Sequence, residues 1–149
     1  MKTIVLYYSV GGATRKEAEK LAAERKAPLC RIETVRRHSL PGTLFFGSFR
    51  AMRRKAEAIK PLEENLAEYD EIVLGCPIWA GHPAPAFNAV IKQLPAGKQV
   101  ELFFCSAGGE SAKSMEGTKA LVIQRGCTLL SYRDIATGAT PSAHEAAAK

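Results

Sequence analysis

The sequence predicts an α/β protein, a doubly wound five-stranded parallel sheet of order 2-1-3-4-5 with helices on both faces. Three observations carry that expectation. Short β-branched and aromatic runs alternate with amphipathic stretches along the chain. The runs are almost continuously apolar, as strands buried on both faces are. Gly-, Ser- and Pro-rich turns follow the runs, and the long stretches between them have room for the helical crossovers that parallel neighbours require. The 149 residues are expected to form one domain, 1–149, of a size that buries roughly 68–70% of its unfolded surface.

Residues 2–8 form the first expected strand, with Ile4, Val5, Leu6, Tyr7 and Tyr8 in an unbroken apolar run. Residues 14–25 follow as a helix that turns Ala18, Leu21 and Ala22 inward and Lys16, Glu17, Lys20 and Glu24 to water. Thr14 is its expected N-cap. Residues 28–35 read as the second strand, carried by Leu29, Cys30, Ile32 and Val35. In the connection from 36 to 70, Phe45, Phe49, Met52, Ala56 and Ile59 recur at intervals of four, three, four and three, which predicts a helix ended by Pro61. The stripe reads as core packing, with Leu44, Phe45 and Phe46 where an aromatic could overhang a neighbouring site.

Residues 71–76 are the third expected strand, closed by Gly75 and Pro77. A Gly- and Pro-rich loop, 77–85, leads into a helix with Phe87, Val90, Ile91 and Leu94 on one face, ended by residues 95–98. The fourth strand spans 100–105 and is followed by a glycine loop and a helix over 112–125, which Gly126 stops. Residues 127–135 form the fifth strand, diluted by Ser131, Arg133 and Asp134. Thr140 and Pro141 signal a short final helix over about 140–149, whose last residues read EAAAK, a common helical spacer.

Composition narrows the function classes. The four cysteines, Cys30, Cys76, Cys105 and Cys127, form no CxxC pair and no zinc-type cluster, so no metal site is expected and reduced thiols in a cytoplasmic protein are the simplest expectation. Lys2 and the run behind it faintly resemble a signal segment, but no small-residue cleavage site follows and cleavage would remove the first strand. No apolar run approaches the roughly 18 residues of a membrane span. Eight basic and two acidic residues lie between Arg31 and Lys60, an excess equal to the net charge of +6 of the whole chain. Such a block usually makes a solvated helix face; over residues 50–60 it could also receive an acidic partner, while nucleic acid is not the expected ligand.

The residues that suggest chemistry lie after the first, third and fourth strands. Ser9, Val10, Gly11, Gly12, Ala13 and Thr14 make a tight strand-to-helix turn. Backbone N–H groups at a helix start carry about half a positive charge, so this turn is a candidate phosphate cradle. Pro77, Ile78, Trp79, Ala80 and Gly81 make the second loop, and Ser106, Ala107, Gly108, Gly109 and Glu110 the third. In the predicted strand order all three leave the carboxyl edge around the switch point, where open sheets bind ligands.

In this arrangement the chain resembles the flavodoxin family over essentially its whole length. The family's first loop runs hydroxyl, any residue, hydroxyl, Gly, Asn, Thr; Ser9, Gly12 and Thr14 match it, whereas Gly11 and Ala13 depart from it and shift phosphate binding toward backbone N–H groups. Gly75, Pro77, Ile78, Trp79, Gly81, Pro83 and Pro85 follow a pattern common in the second loop. The resemblance implies bound FMN, with Trp79 against the isoalloxazine ring, the Ala80 and Gly81 peptides at its N5 edge, and residues 106–110 at its pyrimidine end. Many flavodoxins place an aromatic in the third loop, and this chain has none there, which implies an open ring face.

The function implied is electron transfer between a reductase and an acceptor, through a redox partner protein or a small quinone-like molecule. Two alternatives stand beside it: an FMN-dependent NAD(P)H:quinone or flavin reductase, and a non-redox nucleotide- or partner-binding module. A dinucleotide-binding fold would want GxGxxG, which Gly11 and Gly12 do not provide. Cys76 and Cys105 could meet as a redox pair, though buried core thiols are the commoner case; His82 could donate a proton near the ring or simply position its loop. No residue is assigned as catalytic.

Overall fold

The computed structural model describes residues 1–36 and 48–137; the expected aromatic cluster at 44–46 and the expected final helix at 140–149 lie outside them. Strand β1 (Thr3–Tyr7) leads into α1 (Ala13–Arg25), then β2 (Leu29–Arg31), α2 (Ser48–Met52), a single 3-10 turn (Leu66–Glu68), β3 (Glu71–Trp79), β4 (His82–Pro83), α3 (Pro85–Ile91), β5 (Gln99–Ser106), α4 (Ala112–Gln124) and β6 (Thr128–Ala136). The parallel path runs β2-β1-β3-β5-β6, which is the expected order, and β4 is a sixth, antiparallel strand paired only with β3. Tyr7, Gly75 and Phe103 stand side by side in register, so the turns after β1, β3 and β5 leave one edge of the sheet.

Strand alternation divides the core in two. Val5, Tyr7, Val73, Phe103 and Cys105 face α1, which covers them with Ala18, Leu21 and Ala22, the expected inward residues. Ile4, Leu6, Ile72, Leu74, Leu102 and Phe104 face the other way and pack with Phe87, Val90 and Ile91 of α3 and Val122 of α4. Cys76 and Cys105 belong to opposite layers, and all four cysteines are free. The two thiols therefore do not meet as a redox pair and are the buried core thiols of the commoner case, because side chains one register apart on neighbouring strands leave opposite faces of the sheet.

The helix expected over 45–59 is the largest departure. It stops at Met52, and Arg54 takes a positive φ of 52° while Arg54 N donates to Ala51 O and Lys55 N to Arg50 O. Ile59 is extended and bridges antiparallel to Thr34. The second strand is also shorter than expected, because from Glu33 the chain pairs with residues 58–60 instead of β1. The apolar period of three and four holds only in part: Ile59 packs against the core, but Met52 is 55% exposed and Ala51 takes the buried place, and a period alone does not supply the hydrogen bonds of a helix.

At the opposite edge of the sheet Arg25, the last residue of α1, holds Glu71 at 2.6 Å and Glu101 through both terminal guanidinium nitrogens, one of them at 2.8 Å. Hydrogen bonding to Arg25 holds the Glu101 carboxyl below the usual range, whereas burial raises that of Glu71. Arg25→Met should destabilise the protein by about 2 kcal/mol at neutral pH, between the values for exposed and fully buried pairs. A depressed carboxyl stabilises the fold above its unfolded pKa and loses that contribution as pH falls through its folded one. The difference between variant and parent should therefore shrink toward pH 3 in urea unfolding midpoints, and Glu71, whose carboxyl Arg25 also pulls down against burial and Glu101, adds to the trend; a difference independent of pH would refute this account.

Candidate functional site

The first loop is built by its glycine. Gly12 takes φ 103° and caps α1 with no side-chain hydrogen bond, and the first turn of the helix contains no acidic residue. Thr14 is inside the helix and buried, so it is not the N-cap: the left-handed backbone at position 12 starts the helix two residues earlier than its hydroxyl could cap. Lys16 N is the first amide to find a helical acceptor, Gly12 O at 2.9 Å, which leaves the amides of Ala13, Thr14 and Arg15 without intrahelical partners. Ser9 Oγ accepts from Gly12 N at 2.9 Å, which closes the turn and keeps the hydroxyl proton for another acceptor. Val10 and Ala13 pack at the margins of the two core layers, and Gly11 is exposed.

The second expected loop is a hairpin. β3 continues through Pro77, Ile78 and Trp79, exchanging its partner β5 for β4 between Pro77 and Ile78. Ala80 and Gly81 form the two-residue tip with φ of 51° and 79°, the positive pair that matches the twist of a short hairpin. Trp79 is 7% exposed, sits in the core and meets the Tyr8 ring edge-on at 6.1 Å. It anchors the hairpin from beneath. Both tip carbonyls already have partners: Ser114 Oγ donates to Gly81 O at 2.6 Å, and His82 Nδ1 lies 3.2 Å from Ala80 O.

The third loop repeats the logic of the first. Ser106 Oγ accepts from Gly109 N at 2.9 Å and Glu110 N at 3.2 Å, again leaving a hydroxyl proton to donate. Gly109, at φ 69°, presses on the end of β6, and Thr137 N donates to Ser106 O at 2.9 Å. Ala107 is half-buried, while Gly108 and Glu110 are exposed. Beyond the loop, Ser111 is clamped by Asp134, which accepts from its amide at 3.0 Å and from its hydroxyl at 2.6 Å; that hydroxyl also meets the Tyr132 hydroxyl.

Sequence reasoning missed the supports of this edge. Ser114 and Arg54 look like ordinary surface residues in the sequence. In the structure Arg54 turns inward and donates to Ser114 O at 2.9 Å and Thr118 Oγ1 at 3.1 Å, through a notch left by Gly117, where a Cβ would lie 2.7 Å from its guanidinium. Arg50 likewise spends a hydrogen bond on Ala56 O at 3.4 Å. The expected cationic helix face over 50–60 is thus neither helical beyond Met52 nor wholly directed outward. Burial pushes the Cys76 thiol up, which makes it an inert core thiol. Among the described residues no cluster of metal-ligating side chains forms, and no helix is long and apolar enough to cross a membrane.

The three loops stand together at the carboxyl edge of an open sheet in the order expected of a flavodoxin-like fold, and that is the fold of this protein. No protein-family model matches the chain, and no curated protein does. Solved structures do. A flavoprotein from Lactobacillus acidophilus NCFM in complex with FMN is similar over 89% of this chain and 93% of its own, with 26% identity and a TM-score of 0.73. A WrbA-like flavodoxin from Agrobacterium tumefaciens is similar over 99% and 90%, with 18% identity and a TM-score of 0.58. Oxidised flavodoxin 1 from Bacillus cereus is similar over 98% and 90%, with 15% identity and a TM-score of 0.50. The last two show likeness of fold alone.

Proposed function

We propose that this protein binds FMN at the edge formed by the three loops and carries electrons between a reductase and an acceptor. The observation that carries the proposal is the uncapped start of α1: three free amide positions, a closing serine and no carboxylate in the first turn suit a phosphate dianion. The fold's likeness to a chain solved with FMN points the same way. The ribityl phosphate would rest on residues 9–14, the hairpin tip would meet the ring at its N5 edge, and backbone groups of 106–110 would serve its pyrimidine end. With one contact already made to each tip carbonyl, the tip N–H groups are its unused donors, and these complement the acceptor nitrogen of an oxidised ring. Trp79 contributes by fixing the hairpin; at 7% exposure it is not an open stacking platform.

FMN itself would supply the redox chemistry, and the protein its binding, orientation and electrostatics. The free, buried thiols suit a reducing cytoplasm. A second reading, an FMN-dependent reductase acting on a quinone or flavin with NAD(P)H, is favoured by one feature: the third loop has no aromatic, and its Gly108 and Glu110 are exposed, so it would not cover the ring.

The purified protein should quench FMN fluorescence with a micromolar or lower Kd. Absence of quenching at ten micromolar protein would remove both readings. Given binding, turnover of NAD(P)H with a quinone by the protein alone selects the reductase, whereas turnover only on addition of a separate reductase selects the carrier.

A further inference from the structure

We propose that the pocket on the β2 side of the first loop is a second binding site, adjoining the phosphate cradle along Ser9 and Val10 but away from the free amides of Ala13 to Arg15, for a small molecule bearing a carboxylate or phosphate group. The pocket has a volume of about 410 Å³, within the roughly 300–1,000 Å³ typical of small-molecule sites. Its walls are Tyr8, Ser9 and Val10 on one side and the chain from Arg31 to Thr34 with Lys60 on the other. In the sheet β2 lies across β1 from β3, so the pocket is on the far side of β1 from the hairpin, and no residue of 77–81 or 106–110 lines it.

The site is built rather than a chance surface dent. Thr34 bridges to Ile59, Val35 N donates to Ala58 O at 3.0 Å, and Lys60 N donates to Glu33 O at 2.7 Å. This stitching places Lys60 beside the end of β2, whereas a helix continued to residue 59 would have carried it elsewhere. At the pocket Tyr8 is only 4% exposed, and its hydroxyl makes no hydrogen bond. The nearby Thr34 hydroxyl donates instead to Arg36 O at 2.8 Å. Buried polar groups are rarely left unpaired in native proteins, so an orphan hydroxyl on a residue that lines a cavity points to a partner that arrives with a ligand.

Charge identifies what that partner brings. Among the described residues neither Arg31 nor Lys60 has an ion-pair partner, and Glu33 is the one carboxylate on the wall. Counted over the lining residues alone, two cations face one carboxylate; Glu57, buried near Tyr8, does not line the pocket. Burial, and after it the neighbouring Glu57 carboxylate, push the Tyr8 phenol up, so at neutral pH it is a donor. A phenol donor in a pocket whose wall also carries Arg31 and Lys60 suits an anionic oxygen. Val10 and Ile32 add an apolar wall, which leaves room for the organic body of the ligand.

The test is an amide chemical-shift titration of the isotope-labelled protein, with and without saturating FMN, using inorganic phosphate as one probe and benzoate as the other. In either form of the protein the amides of Tyr8, Ile32 and Thr34 should shift saturably at millimolar probe. Lys60→Gln and Tyr8→Phe should each weaken that saturation at least threefold, while the dispersion of the spectrum shows that both variants remain folded. Saturation by phosphate alone, by benzoate alone or by both supports the site and identifies the ester or the acid as its ligand. Shifts confined to Ala13, Thr14 and Arg15, linear shifts spread over the basic surface, or variants that bind as the parent does would overturn it. Because the pocket is read from its own amides, failure to bind FMN and failure of this site are seen separately.

Discussion

Gly75→Ala is expected to destabilise the protein by about 3 kcal/mol, the upper end of what overpacking a core costs. Gly75 lies near the middle of β3, in register with Tyr7 on one side and Phe103 on the other. A Cβ placed there would lie 2.0 Å from Phe103 Cζ and 2.3 and 2.4 Å from the two Cε atoms. The ring therefore occupies the space that a side chain at 75 would need. Phe103 is 1% exposed and packed with Val5, Tyr7 and Val73 beneath α1, so its ring can move aside only by displacing them. For a chain of this length each kcal/mol lowers Tm by roughly 2–4 °C, so the variant should melt about 6–12 °C below the parent. The second variant needed is Phe103→Leu, which on its own should cost about 1–2 kcal/mol as a cavity. The double variant should be more stable than Gly75→Ala alone, because the shorter side chain makes room for the methyl group; strictly additive losses, or a Gly75→Ala midpoint equal to that of the parent, would sink the account.

That glycine shows what the sequence could and could not convey. The sheet was legible, since five apolar runs with helical connections leave few right-handed arrangements, and β1, β3, β5 and β6 appear where the runs lie. Gly75 was legible as punctuation, a mark that a strand was closing. In fact the strand continues four residues past it to Trp79, and the glycine exists to admit a ring from the adjacent strand. A contact between strands so far apart in sequence leaves no local trace. The same holds for Arg54, whose partners lie 60 and 64 residues away, and for the orphan hydroxyl of Tyr8, which reads in sequence as one more apolar strand residue.

Local chemistry misled where two local rules competed. Pro and Gly at 77–85 predict a loop, and the structure resolves the same residues into a hairpin, because Ala80 and Gly81 with two positive φ values satisfy a two-residue turn and Pro83 falls on a short edge strand where its missing N–H costs nothing. Thr14 has a capping side chain, but Gly12 reaches the left-handed conformation at less cost and starts the helix first. Of the expected site, the three loops come to one edge as predicted. What the sequence did not convey is the source of their rigidity: the Ser9 hydroxyl, expected in the phosphate cradle, and the Ser106 hydroxyl, in a loop expected to offer backbone groups, both accept the amides that close their own turns. Such turns arrive preorganised, so less ordering entropy opposes a ligand that uses the remaining hydroxyl protons and amides.

The sharpest test of the third loop compares two adjacent glycines that sequence inspection cannot tell apart. Gly109→Ala should weaken FMN binding at least tenfold, about 1.4 kcal/mol, whereas Gly108→Ala should change it less than twofold. At Gly109 the backbone has φ 69°, and a Cβ would lie 2.6 Å from the Ala136 Cβ and 2.8 Å from its N and Cα. Neither a left-handed alanine nor a backbone clash is relieved by a rotamer change, so the loop must lift from the end of β6. Lifting strains the hydrogen bonds that close it, those from Gly109 N to Ser106 Oγ and from Thr137 N to Ser106 O, and displaces the amides that would face the pyrimidine end of the ring. At Gly108 no heavy atom lies within 4 Å of the place a methyl group would take, and its φ is not positive. Fluorescence quenching of FMN measures both Kd values, and circular dichroism checks that each variant is folded. Equal, unimpaired binding by the two would remove residues 106–110 from the flavin site, and equal impairment would show that exposure at 108, not the seating of 109 on β6, governs the loop.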